Sequence, residues 1–528
     1  MSTTPKDIIF EEDARHALLT GIKKLIELVS FTLGPKGRNV CMEKSWGAPN
    51  ITNDGASIMR DVILSDPFEN MGAAMIIELV QKIKEICGDG TTTVAILSAA
   101  LVEEGIKNVS SGASPIGIKR GIDKAVEIVV KEIEKNAIPV KTKQETSNVA
   151  TVSASGNRDI GDMIADAMEK VGTSGAITIE EGKTTETTIE VVTGMKFDRG
   201  YVSHHLCTNI EKMTVEMEHP QILLVNKKIS NIHELLPVLQ STAAAGSELL
   251  IIAEDFEGDV ITTLVVNKLR GTLKVAAVKA PGFGDRRTAM LQDIADLTGA
   301  TVISEEVGMS LNEIPPTALG SAEKIIITKD STTITGGGGT SEQIASRIKQ
   351  IDAEIELTTS SYEKEKLQER RAKLSGGVAV IKVGAASETE MKQKKQMFDD
   401  SLNSTKAALE EGIVPGGGAA LLNACKALEN LHLEGDEAIG AKIVLKACGM
   451  PLKQIAINTG FDGSIILNQV LKSPKNFGFN ALNEQVEDLI LAGVIDPAKV
   501  AKSTIRYAAS TAGTILLSEV LIVDAKED

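Results

Sequence analysis

Apolar residues recur at three- and four-residue intervals through most of the first 133 positions. Ala14, Ala17, Leu18, Gly21, Ile22, Leu25 and Val29 share one face at helical spacing, which predicts an amphipathic helix. Met71 to Cys87, Ile116 to Lys135 and Ser404 to Glu411 repeat the pattern, as do Ala438 to Asn458 and Lys502 to Leu517. The middle of the chain reads differently. Between about Thr185 and Val380, short β-branched runs predict buried strands at Ile222–Val225, Leu249–Ala253, Leu273–Val278, Thr301–Ile303 and Lys324–Ile327. Helical patterns at Ile232–Gln240, Val260–Arg270 and Arg286–Thr298 alternate with them, which argues for an α/β unit. Glu363–Lys373 predicts a charged helix with a solvated face and i, i+4 pairs, and Gly336–Gly339 a flexible loop. Helical, then α/β, then helical: the simplest arrangement is one domain inserted into another, with connecting segments near 138–193 and 377–411.

Length and charge narrow the function classes. At roughly 150 residues per domain, 528 residues predict three or four domains. Lys and Arg total 56 against 72 Asp and Glu, a net charge of −16, which disfavours nucleic acid and anionic membrane as partners. No apolar run reaches the roughly 18 residues of a membrane span. Met1 to Phe10 lacks the basic and apolar regions of a secretion signal, which predicts a cytoplasmic chain, or an organellar-matrix one if a presequence has been removed. Cys41, Cys87, Cys207, Cys425 and Cys448 form no CxxC pair and read as reduced, mostly buried thiols. The adjacent pair His204-His205 lacks metal-ligand spacing.

Four turns carry candidate chemistry. Gly88-Asp89-Gly90-Thr91-Thr92-Thr93 stands between two helical runs, where unpaired N–H groups and hydroxyls suit an anion and Asp89 suits a divalent cation. A tight turn with a threonine N-cap is the competing reading. Thr32-Leu33-Gly34-Pro35 begins a loop whose glycines permit close backbone approach to a ligand, or which is simply a surface loop. Asn53-Asp54-Gly55 places Asp54 on a turn where it could orient water or a cation, or only shape the turn. Pro415-Gly416-Gly417-Gly418 opens another helix, and Asp400 by itself reads as a solvated charge. Known nucleotide motifs do not fit: Gly182-Lys183-Thr184 has the tail of a Walker loop, but Ile177 stands where its first glycine belongs.

Together these segments resemble the group I, GroEL-type chaperonins. The resemblance runs in order through TLGPKGRNV (Thr32–Val40), DPFENMGA (Asp66–Ala73), GDGTTT (Gly88–Thr93), KFDRGY (Lys196–Tyr201), KKISNI (Lys227–Ile232), VKAPGFGDRR (Val278–Arg287), KLQER (Lys366–Arg370), GGVAVIKVGAA (Gly376–Ala386) and EEGIVPGGG (Glu410–Gly418). It implies a multidomain α and α/β fold: a helical equatorial ATPase domain (1–137 and 412–528), a small α/β intermediate hinge domain (138–193 and 377–411) and an inserted α/β apical domain (194–376). It also implies an ATP-dependent chaperone that encapsulates non-native polypeptides, in sevenfold homo-oligomeric rings usually stacked in pairs and capped by a GroES-type co-chaperonin. ATP with Mg2+, and K+ as a further ion, are the implied cofactors.

By the same resemblance, Thr32, Leu33, Gly34, Pro35, Asn53, Asp89, Gly90, Thr91, Thr92, Thr93 and Gly417 would bind phosphates, with Asp89 holding the metal. Asn480, Ala481, Leu482 and Asp496 would line the nucleoside end. Asp54 and Asp400 would be catalytic, Asp54 facing the γ-phosphate and Asp400 swinging in. Tyr201, Val202, Leu206, Leu236, Leu239, Ile261, Val265 and Val266 would form the apolar client-binding face, although spacing alone reads the stripes Ile232, Leu235, Leu236, Leu239 and Ile261, Leu264, Val265 as core.

Three departures qualify the resemblance. Pro-Tyr-Phe is usual where His204, His205 and Leu206 stand, and the Gly-Gly-Met-rich tail is missing after Ala525-Lys526-Glu527-Asp528. The first change implies an altered client or co-chaperonin preference, and the second an altered chamber volume and client retention. The family usually has Lys where Asn53 stands, which leaves open a divergent scaffold with weakened ATPase. A small-molecule kinase would need an acceptor site that the sequence does not supply. Restoring the charge by Asn53→Lys is expected to tighten nucleotide binding by up to about tenfold, the equivalent of 1.4 kcal/mol, read by calorimetric titration. An unchanged affinity would refute the expectation.

Overall fold

A computed structural model describes residues 5–43, 49–154, 156–172, 175–182, 184–210, 212–305, 308–311, 314–358 and 360–525. Met1–Thr4, Lys183 of the near-miss Walker tail, and Lys526 to Asp528 lie outside the described residues. Two compact units divide the chain: Met1–Ala165 with Lys392–Asp528, and Asp166–Met391. Their boundaries fall inside two continuous helices, Arg158–Val171 and Glu388–Glu411.

The first unit is built of helices. Glu11–Ser30, Pro67–Cys87, Thr91–Ser110, Pro115–Asn136, Gly435–Cys448 and Ala498–Leu516 enclose one apolar core that includes Leu18, Ile22, Leu25, Ile76, Ile83, Leu97, Leu101, Ile122, Val444 and Ile505. Local sequence sets the ends of these helices. Asp66 caps Pro67–Cys87 by accepting from the N–H groups of Phe68 (2.9 Å) and Glu69 (3.0 Å), and Pro67 fills a first-turn position that needs no donor. Gly21 and Gly72 let their helices close: a Cβ on Gly21 would overlap the carbonyl of Glu69, and one on Gly72 the carbonyl of Leu18. Each fully buried Leu or Ile contributes roughly 1.5–3 kcal/mol, whereas an exposed pair such as Lys23–Glu103 (3.0 Å) contributes at most about 1 kcal/mol. The core therefore outweighs the surface charges. Lys6–Phe10 pairs antiparallel with Val520–Asp524, joining segments near the two ends of the chain.

The expected helix at Ala438–Asn458 is two helices, Gly435–Cys448 and Met450–Asn458. Pro451 lacks an N–H for the preceding turn, so the helix breaks and restarts with that proline in its first turn.

The second unit is α/β. Its sheet runs Lys274–Lys279, Glu248–Phe256, Gln221–Ile229, Gly320–Ile327, Thr332–Gly337 and Gly194–Phe197, parallel among the first three and antiparallel thereafter. Val302–Ile303 adds to Gln221–Ile229, and Val215–Glu218 to Gly320–Ile327. The predicted strands all fall within this sheet. Leu236–Ala245, Gly258–Leu269 and Gly284–Thr298 supply the alternating helices, the first preceded by a 3₁₀ turn at Ile232–Leu235. A separate three-stranded sheet, Ala176–Glu181, Val378–Val383 and Thr188–Val192, has a small core of its own around Ala176, Val378 and Val380.

Two expectations need correction here. Gly336–Gly339 is not a loose loop: its backbone N–H groups bond to Thr193, Ser321 and Leu297, and a Cβ on Gly339 would strike the carbonyl of Asp296. Glycine serves close packing there. The charged helix Ser361–Ser375 does carry the pair Glu369–Lys373 (3.0 Å), but Leu367, Arg370 and Leu374 are buried. Arg370 donates two hydrogen bonds to Asp293 (2.8 and 2.9 Å), and Arg347 a third (2.7 Å).

Asp293 is 2% exposed and Arg370 8%, so truncating the acid strands buried positive charge. Asp293→Ala is expected to destabilise this unit by about 3–5 kcal/mol in chemical denaturation. A loss under 1 kcal/mol would show that the triad is not structural.

Candidate functional site

The Gly88-Asp89-Gly90 turn is built by two left-handed glycines. Gly88 (φ 71°) ends the helix Pro67–Cys87, its N–H bonding to the carbonyl of Lys84 at 2.9 Å. Gly90 (φ 82°) starts Thr91–Ser110, and a Cβ there would press against Val500 and Thr504. The N-cap is therefore Gly90, not a threonine, and no side chain caps the first-turn N–H groups. Thr92 is buried, Thr91 and Thr93 half-buried. A helix start of this kind presents donors to an anion.

Carboxylates gather behind the turn. Asp54 caps the short helix Gly55–Arg60, accepting from the N–H groups of Ala56 and Ser57 (both 3.3 Å) and the Ser57 hydroxyl (2.6 Å). Lys84, in the last turn of Pro67–Cys87, places its Nζ 3.0 Å from Asp54 Oδ2 and 3.8 Å from Asp400 Oδ1. The two acids share one ammonium unequally. Burial pushes Asp54 up, but the close Lys84 charge and the Ser57 bonds outweigh it, leaving its carboxyl below the usual range. Burial dominates at Asp400. The more distant Lys84 offsets it only in part, the Asp54 charge opposes ionisation, and the carboxyl is pushed up to about 7. Gln396 donates to Asp400 at 2.7 Å.

Asp89 is raised by burial, despite hydrogen bonds from the Gly90 N–H (2.6 Å) and the Ser153 hydroxyl (3.3 Å). Asp496, in the strand Ile495–Pro497 paired to Ile413–Pro415, is raised to about 7 by burial and by the nearby Asp89 charge, against a hydrogen bond from the Gly417 N–H. A Cβ on Gly417 (φ 61°) would lie 3.7 Å from the carbonyl of Phe479, so the Asn480 turn adjoins this glycine loop. Asn480 is buried; its Oδ1 accepts from the Leu482 N–H at 3.0 Å and its Nδ2 donates to Glu487 at 2.7 Å. Ala481 is buried and Leu482 is 62% exposed.

The loop after Ser30 is held by Asn458, whose Nδ2 donates to the carbonyls of Ser30 (2.8 Å) and Leu33 (2.9 Å). Thr32 is buried, its hydroxyl bonded to the Val29 carbonyl at 2.8 Å, and Gly34 (φ 87°) packs on Ile455 next to Pro35. Leu33 joins the apolar cluster of Leu452, Ile455, Phe479 and Ala481. Asn53 is exposed.

The first unit thus draws together Asp54, Asp89, Asp400 and Asp496 with the Gly417 and Asn480 turns, and seats Thr32–Pro35 on the same apolar cluster as Ala481. Asp400 is no solvated charge; it stands beside Lys84. The periodicity and turn arguments passed over Lys84, Ser57, Ser153 and Gln396. A lysine in the last helical turn before Gly88 is unremarkable for a helix C-terminus, so only the fold reveals its two acidic partners.

The second unit corrects part of the proposed client face. Leu206 is fully buried and Leu239 is 5% exposed, both within its main core. Leu239 turns inward one helical turn after the buried Leu235, and Leu206 ends the 3₁₀ turn His204–Leu206 against the same core. Leu236 and Val266 are exposed, while Tyr201, Val202, Ile261 and Val265 are half-buried against that core. His204 and His205 are exposed, their ring centroids 3.9 Å apart.

Among the described residues, no three His, Cys, Asp or Glu side chains converge into a cage able to hold a metal alone. One half-buried carboxylate, Asp89, with Asp496 nearby, would instead suit Mg2+, which commonly takes one or two carboxylates and completes its shell with phosphate and water oxygens. All five cysteines are free, and only Cys41 is exposed. No described helix is long and apolar enough to cross a membrane.

The sequence pattern of the TCP-1/cpn60 chaperonin family matches residues 25–526. The chain belongs to that family. It is similar to a protein of Protochlamydia amoebophila (strain UWE25) named Chaperonin GroEL 3, at 77% identity over 524 residues, covering 99% of this chain and 98% of that protein. Such likeness over nearly the full length makes the chain a group I, GroEL-type chaperonin, an ATP-dependent chaperone with ATPase activity. The chaperonin class carries with it polypeptide substrates, a GroES-type co-chaperonin and ring assembly.

Asp400 gives a pH signature. Its folded value near 7 lies above an ordinary 3.8, so between about pH 4 and 7 the folded protein holds a proton that the unfolded chain has released, and stability falls as pH rises through that window. Asp400→Asn is expected to be more stable than the parent at pH 8, by a few degrees in unfolding midpoint, with the difference closing towards pH 4. A pH-independent difference would show that Asp400 is ionised throughout.

Proposed function

We propose that the first unit binds Mg-ATP at the gathered turns and hydrolyses it, and that hydrolysis drives capture, enclosure and release of non-native polypeptides by the second unit. One observation carries this reading: four carboxylates from separate segments surround the glycine turns of two helix starts, with a single lysine between two of them. Thr32, Leu33, Gly34, Pro35, Asn53, Gly90, Thr91, Thr92, Thr93 and Gly417 would contact phosphates. Asn480, Ala481, Leu482 and Asp496 would flank the nucleoside. Asp89 would hold Mg2+, which when bound neutralises phosphate charge. Asp54 orients groups at the γ-phosphate, and Asp400 accepts a proton from the attacking water; its raised affinity for protons suits a base working near neutrality.

The domain reading is equatorial 1–137 with 412–528, intermediate 138–193 with 377–411, and apical 194–376. The separate core of the three-stranded sheet Ala176–Glu181, Val378–Val383 and Thr188–Val192 supports a distinct middle part. Clients would meet Leu236 and Val266 with the half-buried Tyr201, Val202, Ile261 and Val265, patches whose weak affinities gain by repetition around a ring. Sevenfold rings, stacked in pairs in the cytoplasm, complete the proposal.

The test is ATP turnover by the assembled protein, with and without co-chaperonin, alongside rescue of a denatured client. Asp400→Ala is expected to lower turnover by about 10²-fold or more while nucleotide still binds. Wild-type protein lacking both turnover and rescue would instead support the scaffold reading.

A further inference from the structure

We propose that Lys84 is a positioning residue of the ATPase, supplying the ammonium that makes an otherwise acidic site receptive to a triphosphate and that holds Asp54 and Asp400 in working relation. The inference rests on the nucleotide-site reading given above and adds a residue to it.

The backbone of Lys84 is fixed. It lies in the last turn of Pro67–Cys87, and its carbonyl accepts from the left-handed Gly88 N–H, so the side chain leaves from the base of the Gly88-Asp89-Gly90 turn itself. Its head is largely enclosed, the side chain 22% exposed, with carboxylate oxygens at 3.0 Å and 3.8 Å. Lys84 bridges two helices that are remote in sequence, Gly55–Arg60 through its cap Asp54 and Glu388–Glu411 through Asp400. The charges that bear most on Asp54, Asp89 and Asp400 are Lys84, one another and Asp399.

Charge balance gives the ammonium its function. Ionised Asp54, joined by Asp89, Asp400 and Asp496 as each loses its proton, would repel a polyphosphate, and at low effective dielectric such repulsion is not screened away. Asn53, on the exposed approach to Asp54, carries no charge to offset it. Lys84 therefore provides the local positive charge on a helix other than the one that follows Asn53. In the nucleotide-free arrangement that charge goes to Asp54 at hydrogen-bonding distance and reaches Asp400 only as a longer ion pair. A phosphate oxygen near the same ammonium would compete with Asp54 for it. Loss of the ammonium should act both on nucleotide affinity and on the turnover step.

The experiment uses assembled wild-type protein with Lys84→Gln, Lys84→Met, Lys84→Arg and an Asp400→Asn control, measuring kcat and KM for ATP and calorimetric binding of Mg-ADP. Lys84→Gln and Lys84→Met are expected to lower kcat at least tenfold and to weaken Mg-ADP binding severalfold, with Lys84→Arg recovering most of both. Adding Asn53→Lys to Lys84→Gln should restore binding more than turnover, because a charge at position 53 replaces the attraction but not the bridge to Asp400. A merely structural lysine would lower assembly and thermal stability without this split between binding and turnover, and that result would overturn the proposal. Turnover unchanged in Lys84→Gln while Asp400→Asn is inactive would also refute Lys84 alone. Turnover unchanged in both would refute the site reading beneath it. If the methionine variant does not assemble, the glutamine variant decides by the same criteria.

Discussion

Too much negative charge in too small a half-enclosed volume is the constraint around which the first unit is arranged. Asp54, Asp89, Asp400 and Asp496 come from four separate stretches of the chain, and folding leaves each half-buried. A buried ionised carboxylate without a partner costs several kcal/mol, so the structure handles each acid differently. Asp54 takes the ammonium and the hydroxyl and stays ionised. Asp400 and Asp496 hold protons up to neutral pH. A site left in this state has a standing appetite for cations, and a magnesium-bound polyphosphate is a chemically sensible visitor.

The scaffold that imposes this crowding is a close-packed helical core. Aromatic residues are 3% of the chain while glycine numbers 46, so helices approach through small side chains rather than around large rings. Gly21 against Glu69 and Gly72 against Leu18 show the consequence: two helix backbones lock at fixed register, and the end of Pro67–Cys87, with Lys84 and the Gly88 turn, is delivered to one place. Precision at the site comes from packing far from it.

Much of this was legible in the sequence where local rules decide. The helix of Leu18 and Ile22, the strand at Leu249–Ala253 and the glycine-opened helix after Gly90 all follow from period and turn chemistry. The glycine turns and Asp89 could be picked out as anion and cation candidates by residue type alone. What could not be read depends on partners distant in sequence. Lys84 looks like any lysine near a helix end until Asp54 and Asp400 arrive beside it. Arg370 looks solvated until Asp293 appears, and Gly339 looks flexible until Asp296 closes over it. Leu206 and Leu239 differ in the opposite direction: family resemblance turned both outward, while the spacing argument had Leu239 facing the core and was silent on Leu206.

The second unit is one uninterrupted stretch, Asp166–Met391, whereas the first is assembled from both flanks, with Lys6–Phe10 paired to Val520–Asp524. During synthesis the inserted unit has every one of its residues while the helical unit still lacks Ala498–Leu516 and the partner of its first strand. Emerging from the ribosome, this chain must therefore carry the N-terminal part of its helical core without its C-terminal partners until translation has nearly finished, and so is itself a demanding folding problem of the kind its family solves for others.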